Sequence, residues 1–308
     1  MKKYTHVLAV DAGGTKCDAL LVAADGTLLE QCRLQDWATG GRHPQIVRRV
    51  IEKVLRRHEP TPLRVIADEE EKVFRCLPKE WRRRAHHTRC TEPQSALSAA
   101  GYRAGLVVIA GTGGRVVVRT ATGREVSLDG LGPMLGDAGS GYYIGREALR
   151  AVAREIQLQH PSTRLRRRIL RTCGCRNLRE LIRFSLQPRD RSLIASLAEV
   201  VDAEARAGDR LARRLLRDGA TALAGTVRIL VQQLGIAGAE IPVVGAGSVA
   251  VHSDIYWREL CRQMRVMIPH CQPVRVPLPP VAGLAAVGLR NPAATAKLFT
   301  TLAKGLKP

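Results

Sequence analysis

The sequence predicts an α/β protein of two similar lobes, and three observations support this. A strand, a glycine-rich turn and a second strand occur at 7–22 and again at 106–120. Apolar residues at helical spacing fill most of the chain after residue 144. The 308 residues also suffice for two domains of ordinary size. We therefore expect one lobe at 1–105 and a larger one at 106–308.

The first lobe is expected to open with a meander of three antiparallel strands. Its first two strands flank the turn DAGGTKC, and the third follows the tight-turn signal Asp25-Gly26-Thr27. The glycine turn therefore belongs to a hairpin, and neither of the phosphate-loop patterns GxxxxGK[ST] and GxGxxG occurs in the chain. In chain order, the predicted elements are strands at 4–10, 19–22 and 28–34, a helix at 44–58, a strand at 63–67, a charged surface helix or irregular arm at 68–90 and a helix at 94–101.

The second lobe is expected to repeat this opening and then to become mostly helical. Its first strand ends at the turn GTGG, 111–114, and the strand 115–120 follows. The glycine-rich stretch 127–149 predicts a ligand loop leading into a helix whose N-terminus faces the site. The further elements are helices at 144–157, 162–172, 177–185, 190–207 and 209–234, within a helical insertion at about 146–235, then a strand at 241–244 and helices at 255–267 and 281–289. Whether the last helix returns to the first lobe stays open.

Composition favours small anionic ligands over nucleic acid or a membrane as partners. The formal charge is +21, but arginine is spread over the whole chain and aromatic residues are only 4%. No apolar run reaches the ~18 residues of a membrane span, and the start MKKYTHVLAVDAGG lacks the pattern of a secretion signal. The eight scattered cysteines are expected to be free thiols. We therefore expect a cytoplasmic protein without specific nucleic-acid or membrane partners.

Six stretches occur in a recognisable order. They are DAGGTKCDALL at 11–21, VVIAGTGG at 107–114, GPMLGDAGSGYYIG at 132–145, the helical stretch at 194–216, VVGAGS at 243–248 and PPVAGLAAVGL at 279–289. Together they resemble the BadF/BadG/BcrA/BcrD-type ATPase family, which includes the N-acetylglucosamine kinases. The resemblance covers nearly the whole chain. It implies a two-lobed actin-like (ribonuclease H-like) ATPase fold, with a mixed sheet in each lobe flanked by helices.

The resemblance implies ATP and Mg²⁺ as ligands and a hydroxyl of a small sugar, such as N-acetylglucosamine, as the phosphoryl acceptor. It places the Mg²⁺ ion at Asp11, which is also a catalytic residue, and the catalytic base at Glu92. The nucleotide is expected at Gly13, Gly14, Thr15, Lys16, Gly111, Thr112, Gly113, Gly245, Ala246 and Gly247. The sugar or the transferred phosphate is expected at His43, Thr112, Gly136 and Asp137. A homodimer stays open.

Four positions depart from the family pattern. Glu92 stands where the family has an aspartate, and its extra methylene moves the carboxylate by about 1 Å, a scale that matters for positioning. His43 stands where the family has a sugar-binding asparagine. Gly114 and Ala138 stand where a serine and a glutamate are usual. The nucleotide-side motifs are therefore kept better than the sugar-side motifs.

Three interpretations of the function stay open. The first is an ATP-dependent sugar kinase whose two lobes close on ATP and an amino sugar. The second is a nucleotide-binding ATPase or regulatory protein of the same fold that has lost sugar transfer. The third is a radical-dehydratase activator with a [4Fe–4S] cluster. That activator would need a cysteine pair near the domain junction, whereas Cys173-Gly174-Cys175 lies in a helical, arginine-rich segment.

Overall fold

The structure, a computed structural model, describes residues 4–13, 16–35, 43–187, 191–276 and 278–305. The chain folds as two compact units. Unit 1 comprises 1–104 together with 276–308, and unit 2 comprises 105–275. The C-terminal segment of the chain therefore belongs to unit 1.

The strands of the described residues form two five-stranded sheets. Those of unit 1 are β1 (His6–Ala12), β2 (Lys16–Ala23), β3 (Leu28–Gln35), β4 (Leu63–Ala67) and β5 (Ala85–Arg89). Those of unit 2 are β6 (Gly105–Ala110), β7 (Gly114–Arg119), β8 (Glu125–Asp129), β9 (Pro242–Ala246) and β10 (Gln272–Arg275).

The helices of the described residues flank these sheets. In chain order they are α1 (Pro44–Leu55), α2 (Glu70–Arg75), α3 (Lys79–Arg82), α4 (Glu92–Ala99), α5 (Gly141–Gln157), α6 (Arg164–Thr172), α7 (Leu178–Leu186), α8 (Arg191–Arg206), α9 (Arg210–Leu234), α10 (Ser248–His252), α11 (Asp254–Met267), α12 (Pro280–Leu289) and α13 (Pro292–Gly305). None of these helices combines the length and the apolar character that crossing a bilayer requires.

The two sheets have the same topology, as the repeated strand–turn–strand pattern predicts. Their strand orders are β3-β2-β1-β4-β5 and β8-β7-β6-β9-β10. In each, three strands form an antiparallel meander and two more join in parallel. The carboxyl ends of the parallel strands therefore meet at one edge of each sheet, the edge at which open α/β sheets bind ligands.

The sheet of unit 1 is buried on both faces, which explains the continuous apolar run in β1. Leu8 and Val10 pack in one cluster with the apolar face of α1, whereas Val7 and Ala9 pack in another with α12 and α13. Alternate residues of a strand point to opposite faces, so both faces of β1 require apolar side chains. Each large side chain that is fully buried in this way stabilises the fold by about 1.5–3 kcal/mol.

Most predicted elements are present within a few residues, but the helices α10 and α13 and the polar strands at the sheet edges were not predicted. The arm at 68–90 contains α2, α3 and the strand β5, whose sequence AHHTR is mostly exposed. β10, with the sequence QPVR, likewise lies at a sheet edge, where proline is tolerated. Pairing with a neighbouring strand defines such edge strands, so their own hydrophobic pattern carries little signal.

Candidate functional site

Residues 111–113 connect β6 to β7 at the carboxyl edge of the unit 2 sheet. The turn is closed by one hydrogen bond, in which the Gly111 N–H donates to the Gly113 carbonyl at 2.9 Å. Thr112 is exposed at its tip. Among the described residues, no protein acceptor receives the N–H groups of Thr112 and Gly113 or the Thr112 hydroxyl. This turn, which we call the GTG loop, therefore offers donors of the kind that bind phosphate.

The N-terminus of α5 holds the GTG loop from the other side. Its first two N–H groups donate to the carbonyls of Gly111 and Thr112, at 2.7 and 3.3 Å. The third N–H group donates to the side chain of the N-cap Ser140 at 3.1 Å. The start of α5 thus lies against the GTG loop, and the protein itself takes up its first N–H groups. The helix acts through the loop that it fixes.

Asp137 links the glycine-rich stretch to the GTG loop. Its carboxylate is almost fully buried. Oδ1 accepts the N–H of Gly114 at 3.1 Å, and Oδ2 lies 2.5 Å from Nη2 of Arg191, the first residue of α8. Gly136, also predicted to bind substrate, uses its N–H within the stretch, donating to the Gly132 carbonyl at 2.8 Å. In this structure Asp137 thus fixes the start of β7.

Asp129, at the end of β8, is a site residue that the sequence reasoning missed. Its Oδ1 accepts the N–H groups of Gly130 and Asp137 at 2.7 and 2.5 Å, and its Oδ2 accepts the N–H of Ala138 at 2.9 Å. Its φ of 71° lies in the left-handed region, where aspartate is among the few side chains that are tolerated. The available signal was an aspartate before a glycine at a strand end, which is typical of turns.

We expect Asp129→Gly to loosen the glycine-rich stretch without unfolding unit 2. Glycine adopts a φ of 71° readily, so the variant relieves backbone strain while removing the three accepted hydrogen bonds. Hydrogen exchange followed by mass spectrometry should show faster exchange at 130–138, with little change in α9. Unchanged exchange in that segment would mean that the carboxylate does not hold it.

The turn 245–247 lies beside the GTG loop, because β9 pairs in parallel with β6 and Ile109 is opposite Ala246. Gly247 has a φ of 85°, and a Cβ there would come within 2.5 Å of the Ala110 carbonyl. Gly245 packs against the ring of Trp257, so a Cβ there would be 2.4 Å from a ring atom. Both glycines are therefore required by close packing, which brings the two turns together at one sheet edge.

In unit 1, charged side chains lie across the first three strands near the predicted phosphate turn. Asp11 is directly opposite Asp18, and Asp18 is opposite Arg33. Arg33 donates to both carboxylate oxygens of the buried Asp18, from Nε to Oδ1 at 2.5 Å and from Nη2 to Oδ2 at 3.1 Å. Lys16 Nζ lies 3.9 Å from Oδ2 of Asp18. The hydrogen bond to Asp18 raises the pKa of Arg33, so the guanidinium stays charged.

The turn itself is only partly described. The N–H of Gly13 donates to the Lys16 carbonyl at 2.8 Å, which closes the hairpin. Gly14 and Thr15 lie outside the described residues. Burial first, and the charges of Asp11 and Asp18 next, raise the pKa of the Cys17 thiol to about 12. Cys17 is therefore a neutral core thiol and not a nucleophile.

Glu92 and His43 both begin helices in unit 1. Glu92 is exposed at the first position of α4, after β5. His43 is the N-cap of α1, and its Nδ1 accepts the N–H of Gln45 at 3.4 Å. Because β1 and β5 run in parallel in one sheet, Asp11, near the carboxyl end of β1, and Glu92, which follows β5, lie at the same edge of that sheet.

Comparison with known proteins decides the family. A model described as the BadF/BadG/BcrA/BcrD ATPase family matches residues 8–265. The chain belongs to this family. The N-acetylmuramic acid/N-acetylglucosamine kinase of Clostridium acetobutylicum is 29% identical to it over 168 residues, 54% of this chain and 55% of that protein. The N-acetyl-D-glucosamine kinase of Dictyostelium discoideum is 28% identical over 190 residues, 61% of this chain and 60% of that protein. Each match thus spans less than two thirds of the relative's length.

Solved structures establish the fold of this BadF/BadG/BcrA/BcrD family member as the two-lobed, actin-like α/β fold. A proposed N-acetylglucosamine kinase from Chromobacterium violaceum superposes with a TM-score of 0.70 at 21% identity, over 93% of this chain and 99% of that one. A ROK family glucokinase from Streptomyces griseus, in complex with glucose and AMPPNP, gives 0.55 at 14% identity, over 96% and 99% of the two chains.

Two departures from the BadF/BadG/BcrA/BcrD pattern lie against each other in unit 2. A Cβ on Gly114 would lie 2.7 Å from the Ala138 carbonyl oxygen, so the usual serine would require the backbone to shift. Ala138 in turn gives its N–H to Asp129. The two small residues at 114 and 138 are therefore matched to a close approach of the glycine-rich stretch to β7.

The cysteine pair considered for a cluster has ordinary structural surroundings. Cys173 caps the end of α6, and the buried Cys175 donates its thiol to the Cys173 carbonyl at 3.5 Å. Within the ranges that the structure describes, no group of three or more histidine, cysteine, aspartate or glutamate side chains could hold a metal ion.

Proposed function

We propose that this protein transfers the γ-phosphoryl group of ATP to a hydroxyl of an amino sugar, with N-acetylglucosamine the first substrate to test. The single observation that carries the proposal is the GTG loop. It combines two N–H groups and a hydroxyl that have no protein acceptor among the described residues with a rigid support from α5. Preorganised donors of this kind stabilise a transferred phosphoryl group at no reorganisation cost.

The GTG loop and the turn 245–247 support ATP as the phosphoryl donor. The two turns are in contact at one edge of the sheet. The glycines of the turn 245–247 therefore place backbone without bulky side chains next to the N–H groups of the GTG loop that would bind phosphate. In this proposal Gly111, Thr112 and Gly113 bind phosphate, and Gly245, Ala246 and Gly247 border the nucleoside. The names of the two kinases similar to this chain support N-acetylglucosamine or N-acetylmuramic acid as the acceptor.

We assign the remaining roles by family position. Asp11 would hold Mg²⁺, a cation that takes one or two protein carboxylates and completes its shell with water and phosphate. Asp18, its neighbour across the hairpin, binds Arg33 through both carboxylate oxygens, and the assignment of the metal to Asp11 follows the family position alone. Bound Mg²⁺ would neutralise charge that develops on the phosphates. Glu92 would accept the proton of the sugar hydroxyl.

A nucleotide-binding protein without sugar transfer is the second candidate function. His43 favours it, because a histidine replaces the sugar-binding asparagine that the family resemblance leads us to expect there, and its Nδ1 caps α1. In such a protein ATP would still bind at the GTG loop, but no sugar would increase its turnover. The two candidates therefore differ in one measurable quantity.

That quantity is the rate of ADP release with and without sugar. We expect N-acetylglucosamine or N-acetylmuramic acid to raise this rate in the presence of Mg²⁺ and ATP, and mass spectrometry to detect one added phosphate on the sugar. Glucose, glucosamine and N-acetylgalactosamine complete the panel. ATP binding without any sugar-dependent rate across the panel would contradict the kinase proposal and favour the second candidate.

A further inference from the structure

The positively charged side chain of Arg191 is connected to the GTG loop through Asp137, although Arg191 lies in none of the six family stretches. Arg191 begins α8, 54 residues away in sequence from its partner Asp137. The same Asp137 carboxylate accepts the N–H of Gly114, the residue that follows the GTG loop. One carboxylate therefore connects the guanidinium to the backbone at the end of this loop.

The two partners of this ion pair are unequally exposed. The Asp137 side chain is 4% exposed, whereas the Arg191 side chain is 48% exposed. A buried carboxylate needs a partner, so Arg191 satisfies Asp137. Asp137, however, uses only part of the guanidinium, which has five N–H donors in a planar fork. Among the described residues, Asp137 is the one side-chain partner of Arg191. Within the described part of the chain, no other side chain takes up the remaining donors of the half-exposed Arg191.

The surroundings define the chemistry of a ligand that could use these donors. The GTG loop contributes the N–H groups of Thr112 and Gly113 but no charge of its own, and α5 spends its first N–H groups on the protein. A guanidinium fork matches the oxygens of a phosphate in a bidentate manner, and such charge-assisted hydrogen bonds are among the strongest.

We propose that Arg191 binds a phosphate group of the nucleotide at the GTG loop, with Asp137 holding the guanidinium in position. This inference rests on the proposed function in so far as ATP occupies that loop. The ligand-binding role that was predicted for Asp137 is thereby assigned to Arg191. Asp137 acts indirectly, by holding Arg191 and the backbone at Gly114. Arg191 is then a phosphate-binding residue and Asp137 a positioning residue.

A purely structural role for Arg191 makes a different prediction. If the arginine only neutralises Asp137, its removal should disturb the GTG loop as a whole and weaken every ligand that contacts unit 2. If Arg191 binds phosphate, its removal should weaken the binding of each ligand in proportion to the number of phosphate groups that the ligand carries. Adenosine and ATP share the nucleoside and differ in the phosphates, so the ratio of their affinities separates the two roles.

The test measures dissociation constants for ATP and for adenosine by calorimetry, with Mg²⁺ and without sugar, in the full chain. We expect Arg191→Gln to weaken ATP binding about tenfold to a hundredfold, because hydrogen bonds to a charged group are lost. Adenosine binding should change little. The ATP affinity of Arg191→Lys should lie between those of the parent and Arg191→Gln, because lysine keeps the positive charge but lacks the planar guanidinium fork. Arg179→Gln, an exposed arginine on α7, is the matched control and should behave like the parent.

Equal weakening of ATP and adenosine in Arg191→Gln, or no weakening of either, would overturn the inference. Failure of the parent to bind ATP would overturn it together with the proposed function. If Arg191→Gln does not fold, as judged by circular dichroism, the comparison between Arg191→Lys and the parent decides. ATP binding that depends on Arg191 in a protein that phosphorylates no sugar would uphold this inference and refute the kinase proposal, so the two failures are distinguishable.

Discussion

Asp11→Asn is expected to abolish sugar-dependent ADP release while leaving the fold intact. Asparagine keeps the shape of the side chain at the end of β1 but removes the charge that we assign to Mg²⁺. Charge stabilisation by a bound metal amounts to several kcal/mol, which corresponds to about a thousandfold or more in rate. The variant also removes a like charge opposite Asp18, so we expect little loss of folding stability.

The matched control is Asp25→Asn in the turn between β2 and β3, at the other end of β2. Asp25 is exposed and pairs with Lys297 at the surface, an interaction worth only about 0–1 kcal/mol. Both variants should melt close to the parent, and only Asp11→Asn should lose the sugar-dependent rate and the Mg²⁺ dependence of ATP binding. An Asp11→Asn rate equal to that of Asp25→Asn would remove Asp11 from the mechanism.

Local sequence patterns were sufficient to predict the fold class and the turns that carry the candidate site. The turn between β1 and β2, the GTG loop and the turn 245–247 each come at the end of a buried strand and are rich in glycine, which favours turns. Their positions at sheet edges then follow from strand order. Edge strands such as β5 were beyond this reasoning, because tertiary pairing defines them and their own residues do not.

The connections within the site could not be read from spacing. Asp129 acts on residues eight and nine positions later, and Arg191 acts on a residue 54 positions earlier. Neither side chain belongs to a recognisable motif, since an exposed arginine at a helix start is common in a chain with 49 basic residues. Only the folded chain brings Arg191 to Asp137. The family resemblance marked Asp137 as a site residue, and the structure adds what its two oxygens bind.

Glu92→Gln has the second large expected effect, a fall in kcat of about 10²–10⁴, the usual range for a positioned general base. Glutamine preserves the length of the side chain and cannot accept the proton of the sugar hydroxyl. ATP affinity should change little, because Glu92 is assigned to the sugar hydroxyl and not to the nucleotide. Glu92 is the first residue of α4, where a carboxylate also stabilises the helix dipole by about 0.3–1 kcal/mol. That contribution is too small to explain a hundredfold loss in rate.

Two further variants separate the role of Glu92 as a base from its contribution to the helix dipole. Glu80→Gln removes an exposed carboxylate from the first turn of α3, so it reports the cost of losing such a charge alone. Glu92→Asp restores the residue that the family carries at this position. If the Glu92 carboxylate accepts the proton, Glu92→Asp should retain or exceed the parent's kcat. The shorter side chain moves the carboxylate by about 1 Å, towards the position that it has in the family.

The measurement is sugar-dependent ADP release for the parent and the three variants, with ATP affinity measured separately. The expected order of kcat places Glu92→Asp and Glu80→Gln near the parent and Glu92→Gln at least a hundredfold below, within the range of about 10²–10⁴ for a general base. A loss shared by Glu80→Gln would indicate charge or stability, and not proton transfer. Equal rates in Glu92→Gln and the parent would refute the base assignment while leaving the kinase proposal in place, because phosphoryl transfer depends mainly on positioning and electrostatics.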